Sequence, residues 1–293
     1  MSKSMIGKII KAQKDLYYVK SKDEIYMSKA RGNFRIKGIK PLVGDNVKVE
    51  LTEDNTAYIT QILDRENEIK RPNIANIDQM LVFVTINDPP LNLFNLDKYL
   101  AMCEHENIDV VIIISKIDLT TDEKIDQIID IYEPLGYRIV SIDNYNDFPM
   151  DEIIPILKGK TSAVSGASGV GKSTFLNNLV EKNIEIGEIS QKSKRGKNTT
   201  RHTEIFAIDE DSFIFDTPGF DSFDFDFIED ENQLKYTFRE MKKANCKFKD
   251  CNHINEPNCQ VKESLKEGQI SQSRYDNYKM LFNQLKERRE NKW

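Results

Sequence analysis

The segment from Ser165 to Thr174 (SGASGVGKST) restricts the possible fold of this chain more than any other stretch. It fits the pattern G-x-x-x-x-G-K-[ST], in which glycines let successive backbone N–H groups point at phosphate oxygens. Residues 161–165 read as a short buried strand, and an apolar helical face follows over residues 173–180. A strand, a phosphate loop and a helix in this order predict an α/β fold, with the helix N-terminus directed at the phosphates.

Two segments are predicted to hold the phosphates and their Mg²⁺. Lys172 would supply positive charge to the β- and γ-phosphates, and the Ser173 hydroxyl can ligate Mg²⁺. Farther on, residues 216–219 (DTPG) fit D-x-x-G, so Asp216 would support Mg²⁺ and the Gly219 N–H would sense the γ-phosphate. The loop residues predicted to bind nucleotide are Gly166, Ala167, Ser168, Gly169, Val170, Gly171, Lys172, Ser173 and Thr174.

The segment Ser115-Lys116-Ile117-Asp118 resembles N-K-x-D, the guanine-reading element of GTPases. Asp118 could accept hydrogen bonds from guanine N1–H and the exocyclic amine, and the Lys116 stem could lie against the base. Ser115 replaces the usual asparagine and reaches less far, so reduced guanine affinity is expected. Ser141, at the end of the next predicted strand, resembles the fifth GTPase element. The alternative is a surface turn after a strand.

Composition limits the class of protein. The chain has 293 residues, which favours two or three domains, and a formal net charge of −6. That charge argues against nucleic-acid binding through overall charge but allows local basic patches. No apolar run approaches the length of a membrane span, and the N-terminus lacks the pattern of a secretory signal, so we expect a cytoplasmic location.

Residues 1–70 are predicted to form a small β barrel of the OB type, because short alternating apolar segments are separated by turn signals such as Gly44-Asp45. Phe34 lies within a basic segment, and barrels of this kind bind RNA by stacking bases and neutralising phosphates. The alternative is a solvated loop. The basic residues are Lys29, Arg31, Arg35, Lys37 and Lys40.

Residues 71–228 are predicted to form the α/β domain. Continuous apolar runs at residues 79–86 and 110–115 indicate buried parallel strands. Residues 138–142, 205–208 and 213–215 indicate further strands, and helical patterns lie between several of them. Cys103 lies on an apolar helical face and is expected in the core.

Residues 229–293 are predicted to form a mostly helical, zinc-binding domain. Three of the four cysteines of the chain fall between residues 246 and 259, together with one histidine. Such crowding favours a metal over disulfides in a cytosolic chain, and four ligands leave no open position, as in structural zinc sites. Reduced free thiols are the alternative. The predicted ligands are Cys246, Cys251, His253 and Cys259.

The order of the motifs is unusual. Conventional GTPases run from the phosphate loop through D-x-x-G to N-K-x-D, whereas here the guanine-reading elements precede the phosphate loop. Together with a preceding β barrel and a following cysteine cluster, this order resembles the RsgA (YjeQ) family of circularly permuted, small-ribosomal-subunit-dependent GTPases. The resemblance covers essentially the whole chain.

The resemblance implies a switch segment over residues 192–202 similar to the family's G-x-H-T-T. Thr199 or, by preference, Thr200 would complete the Mg²⁺ shell. The family's hydrolytic histidine is replaced by Asn198, and His202 is the nearest alternative. Phe220, after D-x-x-G, cannot orient a water molecule. Weak intrinsic hydrolysis is therefore expected, with stimulation by a partner.

The resemblance also implies a GTP hydrolase that uses GTP, Mg²⁺ and Zn²⁺, releases GDP, and acts in late maturation of the small ribosomal subunit. It would bind ribosomal RNA and leave the subunit after hydrolysis. Independently of the resemblance, we expect a monomer that does not use a membrane. One alternative is a nucleotide-regulated, poorly hydrolysing RNA-binding assembly scaffold, which Asn198 and Phe220 favour. The other is a P-loop kinase or ATPase with a zinc module, which Asp118 and the motif order disfavour.

Overall fold

The computed structural model of the chain describes residues 3–22, 24–32, 34, 38–52, 57–70, 73–146, 148–186, 204–209, 211–216 and 228–291. These residues belong to two compact units. The first consists of Met1–Leu81, Asn144–Gly166 and Gly171–Asp221. The second consists of Val82–Asp143, Ala167–Val170 and Ser222–Trp293.

The strands are β1 (Lys3–Gln13), β2 (Leu16–Ser21), β3 (Glu24–Ala30), β4 (Asn46–Leu51), β5 (Ala57–Ile62), β6 (Glu68–Lys70), β7 (Asn73–Ala75), β8 (Gln79–Val84), β9 (Asp109–Ser115), β10 (Arg138–Ile142), β11 (Thr161–Gly166), β12 (Glu204–Ala207) and β13 (Phe213–Asp216). The helices are α1 (Leu93–His105), α2 (Asp122–Tyr132), α3 (Met150–Leu157), α4 (Lys172–Ile186), α5 (Arg239–Lys242), α6 (Gln260–Lys266) and α7 (Gln272–Glu290). Short 3₁₀-helices cover Ile117–Leu119, Glu133–Leu135 and Glu231–Thr237.

The first unit begins with a closed five-stranded barrel. Its strands follow the order β1-β2-β3-β5-β4, and β1 closes the barrel by pairing with β4. Alternate side chains fill the interior, as the period of a strand dictates. They are Ile9, Tyr17, Val19, Val47, Val49, Ala57 and Ile59. The predicted OB-type barrel is therefore confirmed.

Strand β3 was not evident from apolar alternation. Its apolar residues Ile25 and Met27 are 56% and 58% exposed, whereas the buried position is the polar Ser28. The strand is held instead by its pairing with β2 and by a parallel pairing with β5.

The α/β part of the first unit has strands in the order β8-β11-β13-β12, where β8 contributes Gln79–Leu81. Strand β11 runs parallel to β13, and β12 runs antiparallel to β13. Every residue of β11 is buried, which a strand covered on both faces requires. The strand ends at Gly166, so the phosphate loop leaves the carboxyl end of a central strand.

The second unit contains the strands β10-β9-β8, the last through Val82–Val84, with β9 and β10 parallel. Helix α1 buries Leu96, Leu100 and Cys103, and Cys103 is fully buried, as predicted. Among the helices that the structure describes, none has the length and apolar character needed to cross a membrane.

In the C-terminal part of the second unit, the spacing of Leu234, Phe238 and Met241 predicts one helix, but the structure has two short ones. A 3₁₀-helix covers Glu231–Thr237, and the one-turn helix α5 follows. Phe238 separates them with extended backbone (φ −113°, ψ 114°), and its buried ring lies 5.2 Å from that of Tyr278. The helical spacing of the apolar residues therefore reflected their shared core and not one continuous helix.

A buried ion-pair network holds α7 against α1 and α5. The Arg274 side chain is 1% exposed and donates to Asp97 (2.6 Å) and to both carboxylate oxygens of Glu240 (2.7 and 2.9 Å). Asp97 also accepts hydrogen bonds from Tyr132 (2.8 Å) and Asn277 (2.6 Å). Because these groups lie out of water, removing one partner leaves an uncompensated buried charge.

We therefore expect Arg274→Ala to lower the free energy of unfolding by about 3–5 kcal/mol, the usual cost of breaking a buried pair on one side. Urea unfolding followed by circular dichroism measures the change. Lys286→Ala, an exposed substitution on the same helix, is the control and should shift stability by less than about 0.5 kcal/mol. Equal effects of the two substitutions would contradict the role assigned to the network.

Candidate functional site

The phosphate loop has the backbone that its glycines permit. Gly166, Gly169 and Gly171 have φ values of 136°, 84° and 90°, which side-chain-bearing residues rarely adopt. Residues 167–169 are exposed, and helix α4 begins directly after the loop. The Lys172 ammonium donates to the carbonyl of Gly166, which holds the charge over the loop. The predicted strand, loop and helix are thus present.

Ser115 connects the end of β9 to the phosphate loop within the second unit. Its Oγ lies 2.5 Å from the carbonyl oxygen of Val170 and 3.3 Å from that of Val84, and the residue is 1% exposed. A hydroxyl has one proton, so the shorter contact is the hydrogen bond. The side chain therefore fixes the phosphate loop and, since it is enclosed, does not face a base.

The neighbouring residues of the predicted guanine-reading segment are accessible. Lys116 adopts left-handed backbone (φ 55°), and Asp118 is exposed in the following 3₁₀-helix. Strand β10 ends beside β9, since Ile142 lies opposite Ser115 and Ser141 opposite Ile114. In the second unit the predicted guanine-reading residues 116, 118 and 141 thus lie at or after the ends of two adjacent strands, one of which bonds Val170 through Ser115.

A loop after β8, which sequence reasoning did not select, packs on this segment. The Lys116 ammonium donates to the backbone oxygen of Asp88 (3.0 Å) and lies 3.4 Å from its carboxylate. Asn87 donates to the carbonyl of Leu119. A Cβ placed on Gly169 would lie 3.9 Å from Pro89 Cδ. In the sequence, only the position of this loop at the end of an apolar strand indicates that it could contribute to the site.

Asn144 is a second residue that the sequence did not reveal. In the first unit, its side-chain amide donates to the carbonyl of Gly171 (3.4 Å), and its backbone oxygen accepts from Asn178 (2.6 Å). Its side-chain oxygen is buried and has no partner among the described residues. Asn144 therefore supports the C-terminal side of the phosphate loop.

Several predicted residues fall outside the described part of the chain. These are Asn198, Thr199, Thr200, His202, Gly219 and Phe220, and of Asp216 only the backbone is described, at the end of β13. Their roles stay predictions. In the basic segment of the barrel, Arg35 and Lys37 are likewise outside, whereas Lys29, Arg31 and Lys40 are exposed. The Phe34 side chain packs against the barrel core.

The four predicted metal ligands converge in the second unit. His253 Nδ1 lies 3.5 Å from the sulfurs of Cys246 and Cys251 and 3.4 Å from that of Cys259, and the Cys246 and Cys259 sulfurs are 3.9 Å apart. A tetrahedron with Zn–S of about 2.3 Å and Zn–N of about 2.0–2.1 Å has S···S and N···S edges of roughly 3.6–3.8 Å. The donor set therefore fits Zn²⁺, with Nδ1 as the histidine ligand.

The pKa shifts of two of the predicted ligands are consistent with a metal site. Burial lowers the pKa of His253, and Lys235 adds to the effect, so the imidazole is neutral near pH 7, as a ligand must be. Burial raises the pKa of Cys251 to about 12, so its thiolate needs a nearby cation. Zinc would supply that charge and stabilise the fold without an open coordination position.

The surrounding loop is tied to helix α7 and to itself. Tyr275 donates to the carbonyl of His253 (2.7 Å), and Tyr278 donates to that of Asn252 (2.8 Å). The Glu256 carboxylate accepts from the backbone N–H groups of Asn252, Ile254 and Asn255 at 2.8–3.0 Å. These bonds orient the ligand-bearing backbone.

Comparison with known proteins covers nearly the whole chain. A family model described as RsgA GTPase matches residues 62–226, and one described as RsgA N-terminal domain matches residues 6–59. A relative from Alkaliphilus metalliredigens, named small ribosomal subunit biogenesis GTPase RsgA, is 40% identical over 97% of this chain and 98% of its own length. A relative of the same name from Agathobacter rectalis is 42% identical over 97% and 99%.

Two solved structures have the same fold. YjeQ from Thermotoga maritima superposes with a TM-score of 0.85 at 31% identity, covering 97% of this chain and 99% of that one. YloQ, described as a circularly permuted GTPase, gives a TM-score of 0.82 at 34% identity, covering 98% and 96%. The predicted arrangement of a barrel, a permuted GTPase core and a helical cysteine-rich end is confirmed.

Removal of one ligand should empty the metal site. We expect purified His253→Ala to retain less than about a tenth of the zinc bound by the wild type, because three donors hold Zn²⁺ far more weakly than four. Zinc content after dialysis against a weak chelator measures this. Cys103→Ala, which removes a fully buried thiol outside the cluster, should keep the wild-type content. Full zinc occupancy in His253→Ala would contradict the assignment.

Proposed function

The chain belongs to the RsgA family of GTPases, and from that membership we propose that it hydrolyses GTP to GDP and phosphate during biogenesis of the small ribosomal subunit. The observation that carries the proposal is the 2.5 Å contact from Ser115 Oγ to the Val170 carbonyl. It joins the guanine-reading segment to the phosphate loop although 55 residues and a reversed motif order separate them. A non-hydrolysing scaffold is not favoured, since the family is one of GTPases.

We propose the following roles in nucleotide binding. Asp118 accepts from the guanine N1–H and amine, Lys116 lies along the base, and the backbone near Ser141 donates to the guanine carbonyl. Because Ser115 is enclosed and bonded to Val170, it acts on the phosphate loop and not on the base. The loop residues 166–174 bind the phosphates through backbone N–H groups, with Lys172 as the point charge.

The hydrolytic residues proposed are Asn198, His202 and Thr200. Ser173, Thr200 and Asp216 would hold Mg²⁺, which neutralises charge on the β- and γ-phosphates, and Gly219 would sense the γ-phosphate. The exposed position of Ser173 in the first turn of α4 supports its role. Because Asn198 stands where the family's motif has histidine, hydrolysis by the protein alone would be weak.

We further propose a monomer of three functional parts that works in the cytoplasm without a membrane. They are residues 1–70 as the RNA-contacting barrel, 71–228 as the permuted GTPase and 229–293 as the zinc-binding part. The exposed Lys29, Arg31 and Lys40 support contact with ribosomal RNA. GTP would favour the subunit-bound state, and hydrolysis would favour release.

Turnover of GTP with and without purified small subunits tests the function. We expect slow turnover by the protein alone and a rise of one or more orders of magnitude with subunits, as partners that complete a GTPase site produce. Lys172→Ala, which removes the phosphate-loop charge, should abolish both rates. Fast turnover by the protein alone, or no response to subunits, would contradict the proposal.

Two substitutions separate base recognition from loop support. Ser115→Ala should weaken GTP and GDP binding about tenfold, because a buried hydrogen bond of roughly 1–1.5 kcal/mol is lost. Its preference for GTP over xanthosine triphosphate should stay as in the wild type. Asp118→Asn should shift that preference towards xanthosine triphosphate, because an amide N–H can donate to the xanthine C2 carbonyl. Titration with fluorescent nucleotides measures both, and a changed base preference in Ser115→Ala would refute the loop-support role.

A further inference from the structure

The barrel is hydrogen-bonded to the strand pair β12–β13, which lies between the predicted switch segment (residues 192–202) and the end of D-x-x-G. One edge of β1 pairs with β4 as far as Lys8, and β12 pairs with β1 at Lys11, which lies opposite Glu204. Strand β2 occupies the other edge, and a bulge between Ile9 and Lys11 bends β1 at the changeover. In the described part of the first unit, β1 thus belongs to the barrel and to the α/β sheet at once.

Two lysines of the barrel reinforce this junction. Lys8 on β1 and Lys20 on β2 lie directly opposite each other, and their ammonium groups lie 5.4 and 5.1 Å from the ring centroid of Phe213. Lys8 also donates to Thr161 Oγ1 (2.9 Å), and Lys20 donates to the carbonyl of Asp209 (3.2 Å). The barrel therefore contacts the first residues of both β11 and β13.

A third contact lies nearer the nucleotide end of β13. Gly44, in the loop before β4, has φ 97°, and a Cβ there would come within 2.0 Å of the Ala75 carbonyl and 3.1 Å of the Phe215 ring. Phe215 directly precedes Asp216, the first residue of D-x-x-G. The Lys8 ammonium is also largely buried: burial lowers its pKa, and the nearby carboxylates of Asp78 and Glu66 oppose this shift.

Most of these contacts fall on β12, β13 and the turn between them. Strand β12 begins at Glu204, two residues after the predicted switch segment, and β13 ends at Asp216, the first residue of D-x-x-G. A partner bound to the barrel can therefore act on both ends of the β12–β13 pair through hydrogen bonds and cation–π contacts.

We propose that Lys8 and Lys20 are positioning residues that fix β12–β13 to the barrel and thereby transmit small-subunit binding to GTP hydrolysis. This inference rests on the proposed function. Coupling of this kind is reciprocal, so the nucleotide state should also change the affinity of the protein for the subunit.

The test is the double variant Lys8→Met/Lys20→Met, which keeps the aliphatic length and removes both charges. We expect turnover without subunits and GTP affinity within about twofold of wild type, and stimulation at saturating subunits reduced at least about tenfold. The ratio of subunit affinities with a non-hydrolysable GTP analogue and with GDP should fall towards one. Lys22→Met/Lys48→Met removes the same charge from exposed barrel positions that make none of these contacts, and it should keep wild-type stimulation at saturating subunits.

Full stimulation of the double variant at saturating subunits would overturn the inference. If wild-type protein itself is not stimulated, the proposed function fails, and hydrogen exchange then decides the coupling separately. Amides of residues 204–207 should exchange faster in Lys8→Met/Lys20→Met than in the control, and equal exchange overturns the inference. The single variants Lys8→Met and Lys20→Met replace the double variant should its far-ultraviolet circular dichroism differ from wild type.

Discussion

The hydrogen bond from Ser115 Oγ to the carbonyl of Val170 is the contact on which the proposed nucleotide site depends. It holds the end of β9, which the proposed guanine-binding residues follow, against the phosphate loop. In open parallel sheets, binding residues gather at the carboxyl ends of the strands, whatever the order of those strands along the chain. A chain in which the guanine-binding elements precede the phosphate loop can therefore form the same kind of site as a chain in which they follow it.

The C-terminal part of the second unit is organised by polar anchors as much as by its apolar core. Helix α7 carries Arg274, which pairs with Asp97 and Glu240, and the tyrosines that bond the ligand loop. A buried ion pair is not by itself evidence of added stability, because desolvation offsets much of the attraction. The pair instead favours one position of α7, because Arg274 reaches Asp97 and Glu240 together only when α7 packs against both α1 and α5. Zinc would fix the ligand loop that Tyr275 and Tyr278 of the same helix bond.

Features governed by local pattern could be predicted, and those governed by distant partners could not. The apolar runs of β8 and β9, the phosphate loop and the cysteine cluster each carry their signal within a few residues. By contrast, Arg274 meets Asp97 across 177 positions, and no nearby residue indicates that its charge is buried. Asn144 and Asp88 support the site from loops whose sequence resembles ordinary turns. Strand β3 exposes Ile25 and Met27, so alternation could not reveal it.

The pairing of the barrel with the α/β sheet covers a strand edge that would otherwise be unpaired. An unpaired strand edge exposes backbone donors and acceptors that readily pair with other chains. Strand β12 has β13 on one side, and β1 covers its other side at Lys11. Gly44 permits a close approach beside Phe215 that any larger residue would block. The barrel is thus hydrogen-bonded to β12, the partner strand of β13, and a chain lacking the barrel would expose this edge of β12.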